Sequence, residues 1–184
     1  LRQRQQIFAL YFGYGLKLKK VSARAGLRME RTWNHADADN STEGIYDYGN
    51  RLLNFIPYLS LTYKPRDGHN LSLSYTERLR RPSISMLSTY FDDSDPYNTS
   101  QGNPGLKAST THTLSLKYNC FSPKWSGTVT LSGHLSNDGI SKWTRVDDTG
   151  AAHSTYSNNV RSRTASARLS INFTPSEKFS FALN

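Results

Sequence analysis

Few residues in this sequence have both the type and the spacing that chemistry needs. Five histidines, His35, His69, His112, His134 and His153, would ligate a metal or act as bases if they stood in pairs. They are spread over loops, a turn and both faces of predicted strands, so isolated polar histidines are the better reading. Ser132 and His134 share a strand face, the start of a nucleophile–base pair, but nothing near them would orient the histidine. The run DDSDPYNTS, residues 92–100, offers carboxylates to Ca²⁺. It lacks the sixth-position glycine and the closing glutamate of a loop site, which favours a solvated acidic loop. Cys120 is the single cysteine, excluding an internal disulfide or a cysteine-built zinc site. No catalytic group, metal or cofactor is expected, and the chain reads as a non-enzyme.

The elements that carry these residues alternate. In the segment 113–118, Leu114, Leu116 and Tyr118 fall on one side and Thr113, Ser115 and Lys117 on the other, the period of a strand. Eight such segments can be marked: about 6–19, 21–33, 52–64, 70–80, 106–119, 127–136, one ending at Phe173, and Phe179 to Leu183. The fold class is all-β, an antiparallel up-and-down meander of about eight strands. The whole of residues 1–184 reads as one unit.

The connections decide what the two faces look at. They run short, long, short, long, short, long, short, with the long ones at about 34–51, 81–106 and 137–160. Ten of the 14 acidic residues lie in those three stretches, which puts the acidic loops at one end of the sheet. Tyr63, Tyr75, Tyr118, Phe121, Trp125, Phe173 and Phe179 gather toward the short turns. Transmembrane barrels show this asymmetry of loops and an aromatic girdle. No stretch is long and apolar enough for a membrane helix, but a barrel strand needs only about 9–11 residues, half of them polar. The net charge of +9 raises nucleic acid as a partner. The basic residues are scattered singly along alternating strands, and no nucleic-acid role is expected.

One stretch carries a resemblance. A strand containing Tyr75 runs into Arg81-Pro82-Ser83, a loop holds Asp95-Pro96, and Gly102-Asn103-Pro104 with Leu106-Lys107 opens the next strand. This resembles the barrel of TonB-dependent outer-membrane receptors, in the outer-membrane β-barrel family abundant in Bacteroidota. Ala108-Ser109 stands where that family usually has Pro-Glu, and the motif covers about a quarter of the chain. The resemblance implies a bacterial outer-membrane segment of a larger barrel, with the plug domain and remaining strands absent. It also implies TonB-type energy coupling through that plug, outer-membrane lipid around the wall, and a small nutrient ligand: siderophore, cobalamin, glycan or peptide. Arg24, Arg28, Arg78 and Arg168 are then candidate lumen-facing cations. Asn-X-Ser/Thr patterns at Asn40, Asn98 and Asn172 are discounted, because the resemblance is bacterial. The alternative is a soluble or surface β-sheet module for an anionic glycan. Two structural expectations follow. Leu71, Leu73, Leu114, Leu116, Leu169 and Ile171 share one face, opposite Ser72, Ser74, Ser115, Lys117 and Arg168. The sheet stays open, with edges at about 6–19 and at Phe179–Leu183, since an interior of Ser, Thr, Gly and Arg cannot pack dry.

Overall fold

A computed structural model describes the backbone of residues 2–40, 44–176 and 179–184, and the side chains of 4–35, 51–175 and 179–184. In chain order the elements are β1 (Arg2–Lys17), β2 (Val21–Asn40), β3 (Gly44–Tyr63), β4 (His69–Arg80) and the single helical turn α1 (Ile84–Leu87). Then come β5 (Phe91–Asp92), β6 (Asn98–Gln101), β7 (Ser109–Ser122), β8 (Trp125–Val146), β9 (Ala152–Ser176) and β10 (Phe179–Leu183). The long strands form one antiparallel meander in the order β1-β2-β3-β4-β7-β8-β9, with β10 on β9. β1 and β10 do not pair, so the sheet is open as expected. β5 and β6 are short additions, β6 lying parallel to β9 through Asn98–Ala152, Thr99–His153 and Ser100–Ser154.

The register sorts the faces as the alternation predicts. Leu71 stands opposite Tyr118, Leu73 opposite Leu116, and Leu116 opposite Leu131. Leu169 stands opposite Val129 and Ile171 opposite Gly127. One position over, Ser72–Lys117–Thr130–Arg168 and Ser74–Ser115–Ser132–Ser166 form rows on the other face. A one-residue slip in any pair would exchange the two faces, so the clean sorting holds the register.

Two long connections are not loops. The stretch 34–51 is largely strand, β2 running to Asn40 and β3 starting at Gly44. Likewise 137–160 continues β8 to Val146 and restarts β9 at Ala152. Their polar sequence misled because a strand that rises beyond an apolar band is polar on both faces. Glu43, Ser41, Thr42 and Glu177 lie outside the described residues, as do the side chains of Asp37, Asp39 and Asp47. β8 bends on the way up. Its pairing with β9 slips between Ser136 and Gly139, and Asp138 there has φ 53°, a bulge conformation that Asp tolerates better than most residues.

There is no core between layers. The buried apolar residues, Leu87, Leu106, Ala108 and Ala151, all belong to the long-connection end. Leu10, Phe12, Leu59, Leu114, Leu131 and Leu169 stand exposed on the apolar face. So many large apolar side chains on one face require a covering medium.

Candidate functional site

On the polar face, Arg24 stands opposite Gly15 and Ser60, Arg28 opposite Tyr11 and Ile56, Arg78 opposite Thr111, and Arg168 opposite Thr130. All four candidate cations therefore share the face of Ser72, Ser74 and Lys117. Between them runs a ladder of cross-strand hydroxyls: Ser115–Ser132 at 3.2 Å, Thr62–Ser72 at 3.4 Å and Thr113 with His134 Nδ1 at 3.0 Å. Ser132 and His134 thus each bond a residue of β7 and do not pair with each other. Arg28 lies over the Tyr11 ring, 4.8 Å from its centroid.

Among the described residues, Glu30 interrupts this basic wall. Glu30, 1% exposed, is gripped by Arg28 on its own strand and by Arg81 from the segment after β4. Thr32 and Asn34 continue the buried row above it, and Asn34 accepts a 2.8 Å bond from Gln5 Nε2 of β1. Gln5 and residues Arg81–Ser85 line a common groove of about 530 Å³. The segment after β4 has therefore crossed inward to the β1–β2 wall. It can do so because β3 and β4 pair only from Tyr58–Thr76 to Tyr63–Leu71 and separate above.

The motif residues explain how that segment is held. Pro82 ends β4, having no N–H to continue the ladder. Gly102 passes so close to the α1 turn that a Cβ would sit 2.4 Å from Ser88 O; only glycine fits. Asn103 N donates to Met86 O at 2.7 Å, its Nδ2 to Tyr156 O at 2.9 Å, and its Oδ1 accepts from Gly105 N at 2.9 Å. Pro104 turns the chain, and Leu106 is buried. Lys107 is clamped through its backbone by Asn158: N to Oδ1 at 2.8 Å, and Nδ2 to O at 3.0 Å. The same Nδ2 donates to Asp138 O at 2.7 Å, reaching the bulge of β8. Asn158 and Glu30 are the two residues that sequence reading did not single out. Glu30 was legible as the lone acid on a basic strand face; Asn158 carried no signal.

Asp95 and Pro96 form a turn into β6. The Asn98 side chain, and then the Tyr97 N–H, bond the Asp95 carboxylate at 2.7 and 2.9 Å and hold it below the usual range. Asp92 is likewise lowered by the Ser94 hydroxyl and N–H. Asp92 and Asp95 of the DDSD run are thus engaged within their own loop. At the β8–β9 tip Asp147 is held well below the carboxylate range, first by the Thr149 hydroxyl at 2.7 Å, then by His153 at 3.1 Å. His153 Nδ1 meets Thr99 Oγ1 at 2.7 Å, fastening β6 to this tip.

The apolar face has a definite height. From the short-turn ends, the first charged residues on it are Arg31, ten positions along β2, and Glu77, eight along β4. Ten residues at about 3.4 Å, tilted about 40°, rise about 25 Å, the height of the apolar band of a membrane barrel. Arg31 lies 5.1 Å from the Trp33 ring at this boundary, a cation and an indole placed as at a head-group interface. Tyr75 does not belong with the short-turn aromatics. It stands opposite Leu59 and Leu114, well up the strand, and bonds His112 Nδ1 at 2.9 Å. Parity put it on the right face; its height followed from the start of β4.

Comparison with known proteins agrees with this geometry. The model of the outer membrane protein beta-barrel family matches residues 2–184. Among solved structures, the haemophore receptor HasR of Serratia marcescens superposes with a TM-score of 0.74 at 13% identity, over 92% of this chain and 32% of that one. The FrpB iron transporter of Neisseria meningitidis gives 0.63 at 12%, over 95% and 24%. The siderophore receptor PirA of Pseudomonas aeruginosa gives 0.59 at 14%, over 98% and 42%. The chain thus spans between a quarter and two-fifths of these neighbours. A search among curated proteins gives no match. The exposed apolar face is a lipid face, and the chain belongs to the outer membrane protein beta-barrel family as a run of antiparallel wall strands in the outer membrane.

Proposed function

We propose that these strands are part of the wall of an outer-membrane receptor that imports a scarce nutrient bearing anionic groups. One observation carries the reading. Arg24, Arg78, Lys117 and Arg168 line the polar face without a carboxylate partner among the described residues, while Glu30 on that face is already engaged by Arg28 and Arg81. Cations spread over a wall of hydroxyls attract an anion and let it move on, because no single site holds it tightly. The segment 81–107, folded inward and tied to Glu30, narrows the outer mouth above them. Energy coupling would come through a plug of the TonB-dependent kind. The ligands of the neighbours, haem with its haemophore and siderophores, are consistent with this class.

The test is uptake by a strain lacking the full-length receptor, across ferric chelates, haem, cobalamin and charged oligosaccharides. Uptake of one of them should fall and return with the wild-type gene, but not with Arg78→Glu plus Arg168→Glu. Unchanged uptake of every compound would overturn the receptor reading. Full rescue by the charge-reversed gene would overturn the basic-wall reading.

A further inference from the structure

The lipid face carries a groove that the wall itself does not need. Gly133, Ala165 and Ala167 form its floor, and Leu114 and Leu116 of β7 form one wall. Two adjoining hollows of about 500 and 570 Å³ share Leu114, Gly133 and Ala165, so they are one furrow. A Cβ built on Gly133 meets nothing within 4 Å; the glycine is not forced by backbone geometry or crowding. From Ala167 to Arg163 the furrow climbs four residues of β9, about 13 Å, and ends at the charged boundary of the lipid band.

The upper end is basic. Arg163 stands opposite Leu135, which stands opposite His112, and both Arg163 and His112 line the hollow. The alternation of β9 puts Arg161 on the same face, about 7 Å further out. Glu77 is 3.5 Å from His112 Nδ1, which leaves both arginines free of carboxylate partners among the described residues. This end of the strands bears the long extensions of β2, β3, β8 and β9 and the segment 81–107, so it faces the outer leaflet.

We propose that the furrow is a binding site for one phosphorylated lipid of the outer leaflet, with an acyl chain against Gly133, Ala165 and Ala167 and its phosphate on Arg163 and Arg161. Guanidinium groups bind phosphate oxygens through paired N–H donors. An apolar floor that ends at two such groups matches the shape and charge of an acyl chain below a phosphate.

The test uses the full-length receptor in non-ionic detergent, titrated with lipid A and with its dephosphorylated form, and read by native mass spectrometry. Wild type should retain one phosphorylated lipid, and Arg161→Gln with Arg163→Gln should weaken retention about tenfold. Gly133→Leu, which fills the floor, should weaken it while heat-modifiable mobility shows a folded barrel. If Gly133→Leu fails to fold, the arginine variant decides alone. Equal retention by the arginine variant, equal binding of the dephosphorylated lipid, or displacement by inorganic phosphate alone would each overturn the site.

Discussion

Removing the Asn158 side chain should unfasten the inward segment without disturbing the wall. Asn158 makes three hydrogen bonds, two to the backbone of Lys107 and one to the carbonyl of Asp138. At about 0.5–1.5 kcal/mol net each, they sum to about 1.5–4.5 kcal/mol. Lys107 is exposed and Asn158 half-buried, so water replaces part of what is lost, and the lower half of that range applies. A loss of about 2 kcal/mol of local stability raises the open population roughly thirtyfold. The assay is amide hydrogen exchange on the full-length receptor, comparing Asn158→Ala with wild type. Lys107 and the segment 102–106 should lose that factor of protection, while 113–117 in β7 should not change. Asn158→Asp should be worse than Ala, because it keeps the acceptor for Lys107 N–H but turns a carboxylate oxygen toward two carbonyls. Unchanged protection at Lys107 in Asn158→Ala would refute the clamp. Loss in β7 of equal size would show that Asn158 supports the whole sheet and not the segment.

Two further perturbations test other parts of the argument. A Cβ on Gly26 would lie 2.1 Å from the Tyr58 ring, which crosses it on the polar face. Gly26→Ala should therefore push the exposed Tyr58 ring off its rotamer at a cost of about 0.5–1.5 kcal/mol in urea unfolding, and Tyr58→Ala in the same chain should recover most of that increment; strict additivity of the two changes would refute the contact. The Asp147 carboxyl is held low by Thr149 and His153, so what it adds to the β8–β9 tip is fully present above the unfolded value of about 3.9 and is lost only as pH falls through the lower native value. Corrected protection of the Ala151 amide, which donates to Asp147 at 3.0 Å, should stay flat from neutral pH down to about 4; a loss centred above 4 would contradict it.

What could be read from the sequence and what could not divides along a physical line. The wall was legible because an apolar face on one side and a polar face on the other impose a period of two on every strand, so Leu114, Lys117 and Arg168 each declared a face. The motif Gly102-Asn103-Pro104 was legible as a turn because turn chemistry is local, whereas the burial of Leu106 beneath it was not. The fastening of that turn was not legible. Asn158 lies 51 residues from Lys107, and an asparagine in a polar strand looks the same whether its amide meets water or a backbone. Arg81 is the instructive case between these. Its place in the motif marked it, but its task depends on Glu30, on a strand two removed in the sheet. Nothing local joins them. They meet because β3 and β4 part above Tyr58 and let the segment fall inward. A buried acid between two arginines is costly to break from one side. That gives the arrangement a direction: Arg81→Ala leaves Glu30 with Arg28 alone and frees the segment, whereas Glu30→Gln leaves two guanidiniums facing each other and pushes it off. Both variants should increase exchange in 82–88, and Glu30→Gln should do so more. The reverse order would mean that the segment is held by Leu87 and Leu106, and that the ion pair only accompanies it.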